Sequence, residues 1–170
     1  MQAAEPSGRF DPVAYRHAMS RYATGVSVVA TVHEGVRYGM TVNSLTSVSL
    51  EPTLMLFCCE RDASLHEPVL AAGVWAVSVL PATHQDVASW FATRGRPGVD
   101  QFNGQVAHPG GVTGAPVLDG ALAWFECRTW ATYDGGDHTI EVGEVLDLGC
   151  SDDAAPGLLY FRGSYGASAD

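Results

Sequence analysis

The chain has 170 residues, of which 46% are hydrophobic and 16% charged, and its formal net charge is −10 at pH 7. This composition excludes disorder over most of the chain, because disorder requires low hydrophobicity together with high net charge. All nine basic residues are arginine, and the acidic balance disfavours binding to nucleic acid or anionic membranes. We therefore expect any phosphorylated ligand to be held by backbone N–H groups, hydroxyls and a few arginines.

Targeting patterns and cysteine usage indicate a single cytoplasmic domain. Residues 1–10 are small and polar and predict a flexible N-terminal tail, which is followed by one domain over residues 11–166. We find no signal-peptide pattern, and no apolar run approaches the roughly 20 residues of a membrane-spanning helix. The cysteines lack a C-x-x-C spacing and are predicted to be reduced and mostly buried; they are Cys58, Cys59, Cys127 and Cys150.

The first half of the chain predicts one helix followed by strands. Asp11 and Pro12 have the residue types of a helix start, and apolar residues follow at helical spacing as far as Tyr22. Three strands are then predicted from VSVVATVH, RYGMTVN and SLTSVSL, with a turn at Glu34-Gly35. The run TLMLFCCE (53–60) is nearly all apolar, so we expect a strand that is buried on both faces.

The second half predicts two short helices and a long hairpin. Ser64 and Glu67 have the spacing of a capping box for a helix over residues 65–72, and Thr83 with Asp86 opens another. Residues 93–116 have no regular period. Strands are predicted at 74–80, at 121–133 and 138–150 around a DGGD turn, and at LLYFRGSY. About seven strands with two or three short helices predict a mostly β fold, an antiparallel barrel with peripheral helices.

Three segments carry candidate chemistry, and each also has a plain structural explanation. Residues 39–50 concentrate hydroxyl and amide groups that can bond a heteroaromatic ring and a phosphate, or form the solvated face of an edge strand. The helix start at Ser64, with Arg61 nearby, can hold an anion or simply cap the helix. His138 follows the predicted turn beside Asp137 and is either solvated or held for function.

Motifs for other chemistries are absent from the sequence. It contains no G-x-G-x-x-G, P-loop, H-E-x-x-H or G-x-S-x-G pattern. His138 and Glu141 are three apart on a predicted strand, so their side chains should face opposite ways and cannot share a metal ion. We expect no metal site.

Taken in order, the segments resemble the short-chain flavin reductases, the NAD(P)H:flavin oxidoreductases of two-component monooxygenases. The resemblance runs from Phe10 to about Tyr165 and rests mainly on GMTVNSLTSVSLEPTLMLFCC and GDHTIEVGEV. ATGVSVVAT, FNG and YFRGSY support it. It implies a split β-barrel that forms a homodimer and binds FMN or FAD at the dimer interface.

The resemblance also implies a role for individual residues. At the flavin ring it places Met40, Thr41, Val42, Asn43 and Ser44; along the ribityl chain, Ser47 and Val48; near the chain or phosphate, Cys58, Cys59, Glu60 and Ser64. Phe102 is expected to cover the flavin or nicotinamide, His138 to face the nicotinamide as the catalytic residue, and Tyr165 to contact the flavin region.

The implied reaction is hydride transfer from NAD(P)H to flavin, with reduced flavin passing to a partner monooxygenase by transient or diffusive coupling. Only arginine is available to bind the 2′-phosphate of NADPH, so the sequence favours NADH. Two alternatives stay open at this point. One is a flavin-retaining oxidase or oxygenase on the same barrel, with residues 93–116 as a substrate lid, and the other is a non-catalytic flavin- or haem-binding protein.

Overall fold

The computed structural model describes residues 10–96, 100–102, 104–152 and 155–169. The predicted flexible tail therefore lies outside the described residues, except for Phe10. The elements in chain order are α1 (Pro12–Met19), β1 (Thr24–Gly25), β2 (Ser27–His33), β3 (Val36–Val42), β4 (Thr46–Leu50), β5 (Thr53–Glu60), α2 (His66–Ala72), β6 (Val74–Val79), a 3-10 turn (Ala82–His84), α3 (Gln85–Ala92), β7 (Ala107–Pro109), β8 (Pro116–Leu118), β9 (Ala123–Gly135), β10 (His138–Cys150), β11 (Leu158–Phe161) and β12 (Ser164–Ala167).

The fold is mostly β, as predicted, and every strand pairing in the described chain is antiparallel. One sheet contains seven strands in the order β3-β2-β6-β9-β10-β5-β4, and two smaller sheets have the orders β1-β11-β12 and β7-β8. All strands of the large sheet were predicted from the sequence. The run LLYFRGSY, expected as one strand, forms β11 and β12 around a turn at Arg162 and Gly163.

The strand β5 corrects one expectation. Its side chains alternate, with Met55, Phe57 and Cys59 buried and the residues between them half-buried, so it is not buried on both faces. The buried face packs on the core, where the rings of Phe57 and Trp75 lie 5.0 Å apart. The other face is half-buried, and the neighbouring edge strand β4 is mostly exposed.

The helices form where the sequence predicted them, but not with all of the predicted caps. The side chain of Asp11 accepts a hydrogen bond from the N–H of Val13, as expected, although α1 ends at Met19 rather than at Tyr22. The capping box predicted at Ser64 is wrong, because α2 has no side-chain cap bond. Thr83, which was expected to open the next helix, lies within the 3-10 turn that precedes α3.

The second part of the irregular segment is held by a buried carboxylate. Glu126 on β9 has no exposed surface and accepts bonds from the N–H and the hydroxyl of Thr113, each at 2.6 Å. Burial raises the pKa of Glu126, but the hydrogen bonds from Thr113 and neighbouring N–H groups outweigh it, so that the pKa lies below its ordinary value. This contact fixes the loop between β7 and β8, two strands that the sequence did not reveal.

Two further properties concern the chain as a whole. All four cysteines are free thiols, of which Cys59 and Cys127 are buried, Cys58 is half-buried and Cys150 is exposed. Within the described ranges, no helix has both the length and the apolar character to cross a membrane.

Candidate functional site

Three clefts adjoin one another at the end of β3, and Thr41 lines all of them. The large cleft, of about 480 Å³, lies between Gly39–Thr41, residues 60–64 and residues 91–96. The histidine cleft, of about 190 Å³, lies between residues 40–44, Cys58, Glu60 and His138. The tyrosine cleft, of about 210 Å³, is lined by residues 41–43 together with Tyr160 and Tyr165.

The strand β3 brings these clefts together because it is the edge strand of the large sheet. The N–H of Gly39 donates to Gln101 Oε1 at 3.1 Å, and the hydroxyl of Thr41 donates to the carbonyl of Ala88 on α3 at 2.7 Å. A Cβ at Gly39 would lie 2.7 Å from Phe91 Cε1, so the close approach of α3 requires glycine there. The segment is therefore held on its α3 side and open towards the clefts.

Most of the predicted site residues meet in these clefts. The ones that line at least one of them are Met40, Thr41, Val42, Asn43, Ser44, Cys58, Glu60, Ser64, His138 and Tyr165. The hydroxyl oxygen of Ser44 accepts a hydrogen bond from the N–H of Cys58 at 2.9 Å, which joins the residues after β3 to β5. Ser47 and Val48 lie on the exposed strand β4 and line none of the three clefts.

Two predicted contacts need correction. Cys59 has no exposed surface, because alternation along β5 turns its side chain into the core while Cys58 faces the cleft. Burial raises the pKa of the Cys59 thiol to about 12. Phe102 is 1% exposed, and its ring packs on that of Phe91 at 4.8 Å, so in this structure it offers no face to cover a ligand.

His138 is the first residue of β10 and lies directly opposite Glu60 of β5. Its Nδ1 is 2.7 Å from Asp137 Oδ1, and this hydrogen bond lowers the pKa of the Asp137 carboxyl. Because Asp137 occupies Nδ1, the ring atom left for a ligand is Nε2. The expectation that His138 and Glu141 face opposite ways is confirmed, since His138 lines a cleft and Glu141 is fully buried.

The hairpin tip that carries His138 is fastened to the end of β5 by Arg61. The backbone N–H of Arg61 donates to the carbonyl of Asp137 at 3.0 Å, and its guanidinium donates to the carbonyl of Gly136 at 3.0 Å and to Asp134 Oδ1 at 2.7 Å. Arg61 was expected to help bind an anion. Its guanidinium instead holds the turn.

Two arginines that sequence reasoning missed lie in the large cleft. Arg94 forms an ion pair with Glu60. Arg96 donates to the carbonyls of Phe91 and Thr93 at 2.7 and 2.8 Å, which closes the end of α3. Its other bonds reach the carbonyl of Trp90 at 3.1 Å, the carbonyl of Gly39 and, at 2.9 Å, Gln101 Oε1. The sequence TRGR (93–96) lies in a segment without a regular period, so the positions of these two side chains could not be predicted from it.

Ser64 joins this group in an unexpected way. It precedes Leu65, the N-cap of α2, and its hydroxyl oxygen accepts a hydrogen bond from Gln101 Nε2 at 2.7 Å. The O–H of Ser64 is thereby left to donate towards the large cleft. Gln101 is 8% exposed and connects Ser64 with Gly39 and Arg96, so four parts of the chain are set in one hydrogen-bonded unit.

Glu141, three residues after His138 on β10, is a buried carboxyl that lines none of the three clefts. It has no exposed surface, and its Oε1 has no hydrogen-bond partner among the described residues. Burial raises the pKa of Glu141 to about 7, although a hydrogen bond from Thr129 acts in the opposite direction. Across the described ranges, no group of three or more His, Cys, Asp or Glu side chains is placed to hold a metal ion.

The chain is similar to known proteins in sequence and in overall fold. The curated NADH-dependent FAD reductase of Streptomyces globisporus is 45% identical over 147 residues, which are 84% of this chain and 80% of that protein. The crystal structure of BorF, the flavin reductase component of a bacterial two-component tryptophan halogenase, superposes with a TM-score of 0.88 at 44% identity, covering 94% of this chain and 99% of that one.

Another similar structure, also from Streptomyces globisporus, was solved with ligand fragments. The NADH:FAD oxidoreductase SgcE6 of Streptomyces globisporus, in complex with NAD and FAD fragments, has a TM-score of 0.86 at 38% identity, covering 99% of this chain and 98% of that one. The family profile described as "Flavin reductase like domain" matches residues 19–169. Because the profile covers most of the chain and the relatives match it over most of their own length, the chain belongs to the flavin reductase like domain family.

Proposed function

We propose that this chain is an NADH-dependent flavin reductase that supplies reduced FMN or FAD to a separate flavin-dependent monooxygenase. The observation that carries the proposal is the meeting of residues 40–44 with His138 in one cleft, beside a larger cleft that contains Ser64 and Arg94. The relatives from Streptomyces globisporus are reductases that use NADH and FAD, and BorF is the flavin reductase component of a two-component halogenase.

The residues present fit a flavin. The clefts adjoin, and the largest has a volume within the range of about 300–1,000 Å³ typical of ligand pockets. Their hydroxyls can bond the polar atoms of a flavin, and Arg94 supplies positive charge for a phosphate. Tyr160 and Tyr165, with ring centres 5.5 Å apart, give the tyrosine cleft an apolar wall.

The backbone of β3 supplies donors for the ring. Because the N–H of Gly39 bonds Gln101 and not β2, the N–H of Thr41, two residues further along, also points away from β2. Such edge N–H groups would stabilise negative charge that develops on a bound ring. When bound, the flavin supplies the chemistry by accepting a hydride from the nicotinamide.

The remaining residues orient the two cofactors. We assign Met40, Val42, Asn43 and Ser44 to the ring, Cys58 to the chain beyond it, and Glu60 and Ser64 to the phosphate end. Tyr165 would contact the flavin from the tyrosine cleft. His138, whose Nδ1 is held by Asp137, would place the nicotinamide through Nε2. Ser47 and Val48 could reach the ribityl chain only from β4, outside the three clefts.

We also propose a homodimer. The helix α1 has no buried residue, and helices this short are marginally stable in water without a packing partner. Large apolar side chains are exposed on α1 and the long hairpin, and they include Val13, Tyr15, Met19, Trp130, Tyr133 and Leu148. A second copy of the chain would cover such surfaces.

The test is NADH oxidation by protein freed of flavin, with FMN, FAD or riboflavin added in excess. We expect steady NADH consumption that depends on added flavin and a lower rate with NADPH. Turnover that requires an added organic substrate would support a flavin-retaining oxygenase instead. Flavin binding without NADH oxidation would support a non-catalytic binding protein.

A further inference from the structure

The arginines around the large cleft differ in how many of their donors are engaged. A guanidinium has five N–H donors. Arg96 uses both terminal nitrogens on carbonyls and Gln101, and Arg61 is engaged by the hairpin turn. Arg94 is 72% exposed at its side chain and, among the residues that the structure describes, bonds only to Glu60 through one terminal nitrogen. Arg94 therefore has N–H donors that remain available to bind a ligand in the large cleft.

Glu60 occupies the position where an anion bound by Arg94 would compete with it. Its carboxylate is 34% exposed and lines both the large cleft and the histidine cleft. Asp62 lines the large cleft as well, and the chain as a whole is acidic. A phosphate monoester, with a charge of about −1.5 to −2 at pH 7, would be repelled by these carboxylates unless Arg94 were turned towards it.

We propose that the Glu60–Arg94 pair is a displaceable ion pair in which Arg94 exchanges Glu60 for the phosphate of the flavin. The inference rests on the proposed function, since it concerns the flavin of that same site. A bidentate arginine–phosphate contact is stronger than an exposed single-bonded ion pair, so the exchange favours binding. Glu60 offsets part of that gain. It acts as a built-in competitor that keeps flavin affinity moderate, which suits an enzyme that releases its reduced flavin.

The two partners should respond to substitution with opposite signs. Binding of FMN and riboflavin to the flavin-free protein is followed by flavin fluorescence without NADH. Arg94→Gln should weaken the binding of FMN by roughly tenfold or more, the scale of a lost hydrogen bond to a charged group, and should leave the affinity for riboflavin unchanged. Glu60→Gln should tighten FMN by about threefold to tenfold, again without affecting riboflavin. Glu60→Gln should tighten FMN binding by less in the Arg94→Gln background than in the wild type, because there it removes only charge repulsion and no competition for Arg94.

The chain offers a matched control in the pair Arg128–Glu144, with side chains 62% and 28% exposed and an N–O distance of 2.6 Å. Neither residue lines any of the three clefts. Arg128→Gln and Glu144→Gln change the charge of the chain by the same amounts as the test variants. They should leave the ratio of FMN to riboflavin affinity unaltered, which separates a local exchange from a general charge effect.

Several results would overturn the proposal. Weaker or unchanged FMN binding in Glu60→Gln would mean that Glu60 is not a competitor. Equal shifts for FMN and riboflavin would mean that the pair acts through the shape of the cleft. A changed KM for NADH with constant FMN affinity would assign Arg94 to the nicotinamide nucleotide. Because binding is measured without NADH, a protein that binds FMN as proposed but oxidises no NADH would refute the reductase function and leave the ion-pair exchange standing.

Discussion

His138 shows how little of the surroundings of a candidate site residue is visible in its immediate sequence. A histidine after a Gly-Gly-Asp turn is ordinarily solvated, and the same sequence allows a histidine with one ring nitrogen held in place. The structure gives the second arrangement, with Nδ1 on Asp137 and the ring beside residues 40–44. The residue opposite it across the sheet, Glu60, belongs to the same cleft.

We expect His138→Ala to raise the KM for NADH or to slow flavin reduction by roughly tenfold, about 1.4 kcal/mol in transition-state stabilisation. His138→Asn, which retains a hydrogen-bonding group, should lose less. Flavin affinity and Tm should stay nearly constant, because the side chain is part of the hairpin tip and not of the core. Stopped-flow reduction kinetics and flavin titration check this. Wild-type kinetics with NADH in the alanine variant would remove His138 from the site.

Glu141 predicts a pH dependence of stability. Its folded pKa, about 7, lies above the ordinary value of 4.5. The folded state therefore favours the protonated carboxyl, so its contribution is full below the unfolded pKa and is lost as the pH rises through the folded one. Relative to Glu141→Gln, the free energy of unfolding of the wild type should fall between about pH 4.5 and 7. Denaturant titrations of both proteins measure the difference, and a constant difference across that range would contradict the assignment.

At the scale of elements, the sequence predicted the strands of the large sheet because their apolar or alternating runs are long. It failed where tertiary contacts decide. The strands β7 and β8 are three residues each, too short to show a period, and the loop between them is fixed by Glu126 from a distant strand. The alternating burial of β5 was hidden because its outward residues are also apolar.

The same limit applies to the site. Residues 40–44 and His138 became candidates because distinctive segments carry them, and the burial of Cys59 was missed because adjacent cysteines give no sign of which one faces the core. Arg94 and Arg96 could not be found, since their roles depend on Glu60 and on the carbonyls at the end of α3. Local sequence therefore identifies candidate residues that lie together on one strand. Residues that are brought to the clefts by tertiary packing cannot be identified in this way.

The start of α2 provides an element-scale prediction. Ser64 does not cap the helix but accepts from Gln101, with its O–H free to donate. Ser64→Ala should weaken the binding free energy of FMN by about 1–2 kcal/mol, the scale of a hydrogen bond to a charged group, and that of riboflavin by less. Comparative titration of the two flavins tests this. Equal losses for both would show that Ser64 only anchors Gln101.

At the scale of the whole molecule, the exposed α1 predicts assembly. We expect a two-fold dimer that buries more than about 1,600 Å². Light scattering at micromolar concentration should give twice the mass of one chain, and Val13→Glu, at a side chain 66% exposed in one chain, should shift the protein towards monomer. An active wild-type monomer would exclude both the dimer and a site that requires it.

The placement of Tyr165 has a consequence for how the site opens. Among the residues that the structure describes, its strand β12 pairs only with β11, and the other neighbour of β11 in that sheet is the two-residue strand β1. His138, in contrast, begins a strand that pairs with both β5 and β9 and is fastened at its tip by Arg61. Segments with few neighbouring strands exchange their amide hydrogens through local opening, at a lower free energy than global unfolding. In hydrogen-exchange measurements, residues 164–167 should therefore exchange well before residues 139–145. The segment that carries Tyr165 would then open locally many times without global unfolding, while the strand that carries His138 stays paired.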